Sequence, residues 1–454
     1  MKKILFSLLA CCYLAVSVAQ TNPAIIAWLQ NNSLLGSYYV QGNSTAISNN
    51  TLANVQTVQY STDWVYVTTQ GIPSYPTGPF LDNNPSQATG QNAIFKISLK
   101  PTQNTGAAIN TNGGNIGIFI NGVALFDYRD GVSWKNSTGA LAGGPTGGMG
   151  DGVWNRDAIV AEKAGFDCAK GHPAMGNYHH HQNPSAFKLD LTVISTVCNL
   201  YDADGLYTID STEHSPLIGF SYDGFPIYGA YGYKNTDGTG GITRMQSGYS
   251  LRNITTRTTY ANGSTVTAGP PVNGTYPLGL FREDYAYIAN AAPEYLDEHN
   301  GRYCETPEYP NGTYAYFCTV DENWNSAYPY AVGPTFYGVK NAVKVASITE
   351  AVTTYIPTED TTGTGIATQD FDNLKVTLFP NPANDLLAIQ YNGLLKETIK
   401  VRMFDISGKL IIETAINQGS TIAYMDVSTV YNGVYLMQLS NNEFTSVQKV
   451  VIQR

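Results

Sequence analysis

A mostly β fold is predicted: a duplicated β-rich body with an internal pseudo-two-fold repeat, followed by a small C-terminal β sandwich. Three observations point there. Short β-branched and aromatic runs alternate with Gly, Asn, Asp and Pro clusters along the chain, and only 155–164 offers a short helical stretch. Three blocks of sequence recur in one order in two halves. A Thr- and Gly-rich stretch at 346–373 then separates a strand-rich tail.

The strand reading rests on runs such as Asn115–Ile120, which ends at Asn121-Gly122, and Val376–Phe379, which ends at Pro380-Asn381-Pro382. Asn-Gly and Asp-Gly between apolar runs are the strongest short hairpin signals. The repeat reading rests on alignment. Ile116–Phe126 matches Ile218–Tyr228 without gaps, Asp167–His172 matches Asp297–Arg302, and Gly176–His181 matches Gly312–Phe317.

The start of the chain has the form of a secretory signal over 1–19. Lys2 and Lys3 precede the apolar run Ile4–Val18, and Ser17-Val18-Ala19 supplies small residues for cleavage. A spanning helix needs about 20 apolar residues, and polar Gln20-Thr21-Asn22 ends this run early. Leu8-Leu9-Ala10-Cys11 offers a lipobox as the alternative, which would leave Cys11 lipidated, but the apolar run continues past it through Tyr13–Ala19. No later stretch is long and apolar enough to span a membrane. The expected organisation is therefore 1–19 signal, 20–109 N-terminal β-rich segment, 110–345 duplicated domain, 346–373 linker and 374–454 tail domain.

Charged residues make up 13% of the chain, against about 25% in typical domains, and 32 tyrosines with many Ser, Thr, Asn and Gly residues supply the polar surface. That composition suits an extracellular β protein. The net charge of −10 excludes the basic footprint of a nucleic-acid binder. If Cys11 and Cys12 leave with the signal, Cys168, Cys198, Cys304 and Cys318 remain, an even number that suggests two disulfides. Three pairings are open; Cys168–Cys198 and Cys304–Cys318 are favoured because each closes a short loop. Thiolate metal binding competes, but no C-x-x-C pair occurs.

Four of the six histidines sit at His172, His179, His180 and His181. Alternate side chains of a strand share a face, so His179 and His181 point together and His180 opposite. Two such imidazoles can chelate Cu or Zn, and a turn can bring in His172. Asp167 is expected as a carboxylate ligand or as a group orienting an imidazole, and His214 as a further ligand from the other repeat. Histidines that merely pack are the competing explanation. The second repeat has Arg302 for His172 and Ala315-Tyr316-Phe317 for the triplet, so packing does not require the imidazoles. Release of the ion is expected as pH falls through the ordinary imidazole value of ~6.5. Asp202-Ala203-Asp204-Gly205 resembles a calcium loop, but its Gly is misplaced and the closing Glu is missing, so Ca is the weaker expectation.

Tyr178-His179-His180-His181, His214–Gly219, Tyr222–Gly229, Glu283-Asp284-Tyr285, Leu296–Arg302 and Thr306–Phe317 together resemble the YHYH domain family over roughly 110–340, with His180 where the family name has Tyr. That resemblance implies kinship, not an activity. The tail, with Leu378-Phe379-Pro380-Asn381-Pro382-Ala383, turns at Asn392-Gly393, Ser407-Gly408 and Asn432-Gly433, and the end Lys449–Arg454, resembles the type A C-terminal sorting domain of type IX secretion in Bacteroidetes. It implies export across the outer membrane through the type IX machinery, to the surface or beyond. Two functions follow: an exported Cu- or Zn-binding protein, or a noncatalytic surface protein that binds glycan or a protein partner.

Overall fold

The computed structural model describes residues 22–40, 43, 45–80, 87–144, 147–184, 206–207, 209–341, 343–357, 376–391, 398–405, 409–416, 422–440 and 445–453. The signal stretch with Cys11, Cys198, the Asp202–Gly205 loop, 358–373 of the linker and the turns at Asn392 and Ser407 lie outside them. The chain forms two compact units, Met1–Pro357 and Thr358–Arg454, and strand dominates both.

Eight strands of the first unit make one sheet: β1 (Asn115–Phe119), β2 (Ala124–Phe126), β3 (Gly171–Ala174), β4 (Asn177–His180), β5 (Leu217–Ser221), β6 (Pro226–Tyr228), β7 (Gly301–Cys304) and β8 (Thr313–Phe317). Their order is β3-β4-β2-β1-β5-β6-β8-β7, which carries corresponding strands outward from the centre on both sides. Pairing is parallel only for β4–β2 and β6–β8, with Leu125 opposite His180 in one half and Ile227 opposite Tyr316 in the other. Even the bulges correspond, at Asn115/Gly117 and Leu217/Gly219. At the centre Gly219 faces Phe119 and Ser221 faces Gly117, so the β1–β5 register is symmetric about Ile118 and Phe220. The two strand–turn–strand segments 116–126 and 218–228 thus correspond in pairing and in bulge position.

Local chemistry explains the match. Gly122 (φ +80°) and Gly224 (φ +88°) occupy left-handed turn corners that glycine adopts without strain. A Cβ at Gly122 would also stand 2.2 Å from Thr69 Oγ1. Ahead of β3, Asp167 Oδ1 accepts from Ala169 N and Gly171 N, and Oδ2 accepts from Tyr178 Oη and Gly78 N. Ahead of β7, Asp297 Oδ1 accepts from His299 N, Gly301 N and Tyr314 Oη. Each Asp therefore ties a tight turn to the tyrosine of the returning strand.

A second, five-stranded sheet packs against the first. It runs Val343–Val345, Ala93–Ser98, Trp64–Thr69, Val55–Tyr60 and Thr353–Tyr355. Val58, Val65, Val67, Phe95 and Ile97 from it share one core with Ile118, Phe220, Tyr228, Tyr316 and Phe317. The strands Val55–Tyr60, Trp64–Thr69 and Ala93–Ser98 of the N-terminal segment are thus part of the body, and regular structure reaches Tyr355, inside the stretch expected as linker.

The Cys304–Cys318 pairing is corrected: both are free, buried thiols. Cys304 faces Thr313 at one end of the β7–β8 hairpin, whereas Cys318 follows Phe317 at the other. Five residues of strand separate those levels, about 17 Å at 3.4 Å per residue, far beyond disulfide reach. Cys168–Cys198 has one partner outside the described residues.

In the tail unit, a three-stranded sheet (Val376–Phe379, Leu386–Tyr391, Ile422–Asp426) and a four-stranded sheet (Leu410–Ile416, Ile399–Asp405, Gly433–Ser440, Thr445–Ile452) share a core of Leu387, Ile389, Val401, Met403, Met425, Met437 and Val450. The first and last motifs of the tail bind each other. Asn381 Oδ1 accepts from Val451 N, Asn381 Nδ2 donates to Lys449 O, and Ala383 N donates to Val451 O.

Candidate metal centre

Three imidazoles meet beside the outer hairpin of the first half. His172 on β3 lies directly across from His179 on β4, and His181 follows β4 on the same face. His179 Nε2 stands 3.1 Å from His181 Nε2, and His172 Nε2 stands 3.4 Å from it. All three ligand atoms lie within 4.8 Å of one another. His180 points to the other face, where Nε2 meets Tyr75 Oη at 2.8 Å and Phe119 packs edge-on.

Hydrogen bonds behind the rings set the tautomers. His179 Nδ1 donates to Asn177 O at 2.9 Å and His181 Nδ1 to Asp127 O at 2.6 Å. A carbonyl can only accept, so both Nδ1 atoms carry the proton and both neutral rings present bare Nε2 lone pairs to each other. Phe126 stacks on His179 at 3.8 Å, and Phe166 meets His172 edge-on at 4.8 Å, fixing the ring planes. Burial holds His172 and His179 well below the ordinary imidazole range, with neighbouring imidazoles adding to it, and lowers His181 to about 4.

Glu162 was not legible as a site residue. It ends the short helix Ala158–Glu162, whose first turn is capped by buried Asp157 through Ile159 N and Val160 N. Its Oε2 lies 3.4 Å from His172 Nε2 and 3.6 Å from His181 Nε2. A lone Glu before Lys163 carries no sequence signal; only the fold brings it to the imidazoles.

Two expected ligands do not join. Asp167 spends both oxygens on the turn and on Tyr178, and it is burial, resisted by those donors, that pushes its carboxyl up to about 7. His214 sits in the other half, against Tyr228, Tyr233 and Phe317, with Nδ1 donating to Ser215 O. Phe317 closes β8 at the place corresponding to His181, so His214 packs on the second hairpin and not on the first.

A pH expectation changes with this geometry. With His181 lowered to about 4 and His172 and His179 held well below the ordinary imidazole range, an ion held by these rings would not be displaced by protons at the ordinary imidazole value. Ion content after dialysis should be equal at pH ~7.5 and ~5.5 and fall as pH approaches 4. Release centred near pH ~6.5 would mean the rings are solvated.

The fold and site define a two-unit β protein whose first unit carries a buried three-imidazole cluster. The chain belongs to the YHYH protein family, whose model matches residues 94–329. The secretion system C-terminal sorting domain matches residues 377–453, the two-sheet tail unit. No curated protein matches the chain. The sorting domain marks it for type IX export to the cell surface or extracellular space. Among the described residues no helix is long and apolar enough to cross a membrane.

Proposed function

We propose that this exported protein binds one Cu or Zn ion through His172, His179 and His181. The carrying observation is the pair of bare Nε2 atoms 3.1 Å apart, whose Nδ1 protons are committed to carbonyls. Two lone pairs facing at that distance repel unless a cation lies between them. Tetrahedral Zn–N bonds of about 2.0–2.1 Å put ligand atoms about 3.3–3.4 Å apart, close to the spacings around His181.

The test is metal analysis of protein purified without added metal, then titrated with Zn(II) and Cu(II). One equivalent is expected in the wild type and essentially none tightly held in the His179→Ala/His181→Ala double variant, with its β circular dichroism unchanged. Equal stoichiometry in the two proteins would end the proposal. The noncatalytic surface-binding reading would then stand, favoured by a cleft of about 430 Å³ lined by Tyr249, Tyr285, Tyr295, Tyr328, Arg244 and Asp321.

A further inference from the structure

We propose that Glu162 is the fourth ligand and that the bound ion is a structural cross-brace, performing in one half of the sheet the task that Arg302 performs in the other. The inference rests on the metal-binding proposal and adds the role of the ion. Its starting point is the correspondence between the halves. His172 follows Gly171 on β3 and pairs with His179; Arg302 follows Gly301 on β7 and pairs with Ala315. Both edge strands lead out of an Asp-organised turn, at Asp167 and Asp297.

Arg302 shows what the second half needs at that place. Its guanidinium lies 5.6 Å over Phe317, which holds the place of His181. Nη1 donates to Pro293 O at 2.6 Å and Lys234 O at 3.0 Å, and Nη2 donates to Tyr233 O. Pro293 lies four residues before Asp297. One buried cation therefore ties the hairpin to the segment entering its own turn.

The first half has no arginine there, yet it has the corresponding segment. Glu162 lies five residues before Asp167 and turns its Oε2 to His172 and His181. Three neutral imidazoles, one carboxylate and a divalent ion sum to a charge of +1 (+2 − 1), the charge of a guanidinium. The tie is the same with the chemistry inverted: carbonyls around a fixed side-chain cation in one half, side-chain ligands around a bound cation in the other. Four protein ligands also close a tetrahedral shell, the mark of a structural site, whereas catalytic sites keep a position open. The ion's binding energy then becomes local folding energy for 155–166.

The experiment is hydrogen–deuterium exchange of the full chain, chelated and Zn-loaded, with metal content measured on the same samples. Amides of 158–166 should exchange at least about tenfold more slowly when loaded, while 288–304 around Arg302 should not change. Glu162→Gln should still take up Zn more weakly through the imidazoles and lose most of the protection. Zn bound at one equivalent with 158–166 unprotected, or Glu162→Gln indistinguishable from wild type in both readouts, overturns the brace and leaves the metal proposal standing. Neither Zn(II) nor Cu(II) bound by the wild type overturns the metal proposal itself, and the brace with it.

Discussion

Replacing Arg257 with Ala should destabilise the first unit by about 3–5 kcal/mol, read as a shifted midpoint in denaturant unfolding. The side chain is fully buried. Nε and Nη2 donate to both oxygens of Asp284 at 2.8 and 2.9 Å, and Nη1 and Nη2 reach the carbonyls of Pro270, Pro271, Tyr276 and Pro277. Asp284 also accepts from Gly279 N and Phe281 N. Removing the guanidinium leaves a buried carboxylate without its countercharge and several carbonyls without a donor. Each loss costs more than an exposed ion pair would. Arg257→Lys keeps the charge but offers a point donor where a fork is needed, so it should recover only part of the loss. An Ala variant within about 1 kcal/mol of wild type would mean that water takes over the guanidinium's role. The pair also bears on the imidazole cluster. Glu283, beside Asp284, accepts from Asn155 N and Nδ2, and Asn155 opens the segment that ends at Glu162.

The fold was legible where the signal was local. Asn121-Gly122 and Asp223-Gly224 announce hairpins because glycine at a left-handed corner is a property of those dipeptides. The shared face of His179 and His181 was legible for the same reason, since strand alternation needs no tertiary knowledge. What failed was reach. Asp167 looked like a ligand because acids near histidines often are, but its donors come from its own turn, from Tyr178 and from distant Gly78. His214 looked close because it stands in a family motif; strand order places it beside the second hairpin instead. Cys304 and Cys318 close a short loop in sequence and lie at opposite ends of one hairpin. Glu162 and the backbone acceptor at Asp127 were invisible because neither belongs to a pattern; each acts only through the packing of its own segment against the imidazoles. The Glu283-Asp284-Tyr285 motif is legible in the sequence, but the buried Arg257 that Asp284 holds is not.

Ending the chain at Asn373 should abolish export and leave the protein inside the outer membrane. The sorting-domain match covers 377–453, and the tail unit has its own two sheets and core, so the deletion removes one folded body. The physics of that body says which residues a finer test should touch. Its opening and closing motifs are hydrogen-bonded to each other, with Asn381 and Ala383 both bound to Val451. Losing only the last strand, Thr445–Ile452, would therefore undo the opening motif as well as the edge of the four-stranded sheet. Fractionation of cells carrying the two truncations and the full chain reads the result. Full-length protein is expected in the medium or on the surface, and both truncations in the periplasm. The retained chain ending at Asn373 should melt as the first unit does in the full chain and match the full chain in Zn(II) and Cu(II) uptake, because Met1–Pro357 forms a compact unit of its own. Truncated protein reaching the medium at the full-length level would assign export to another part of the chain. Truncated protein that is retained but unfolded would instead show that the first unit depends on the tail for stability.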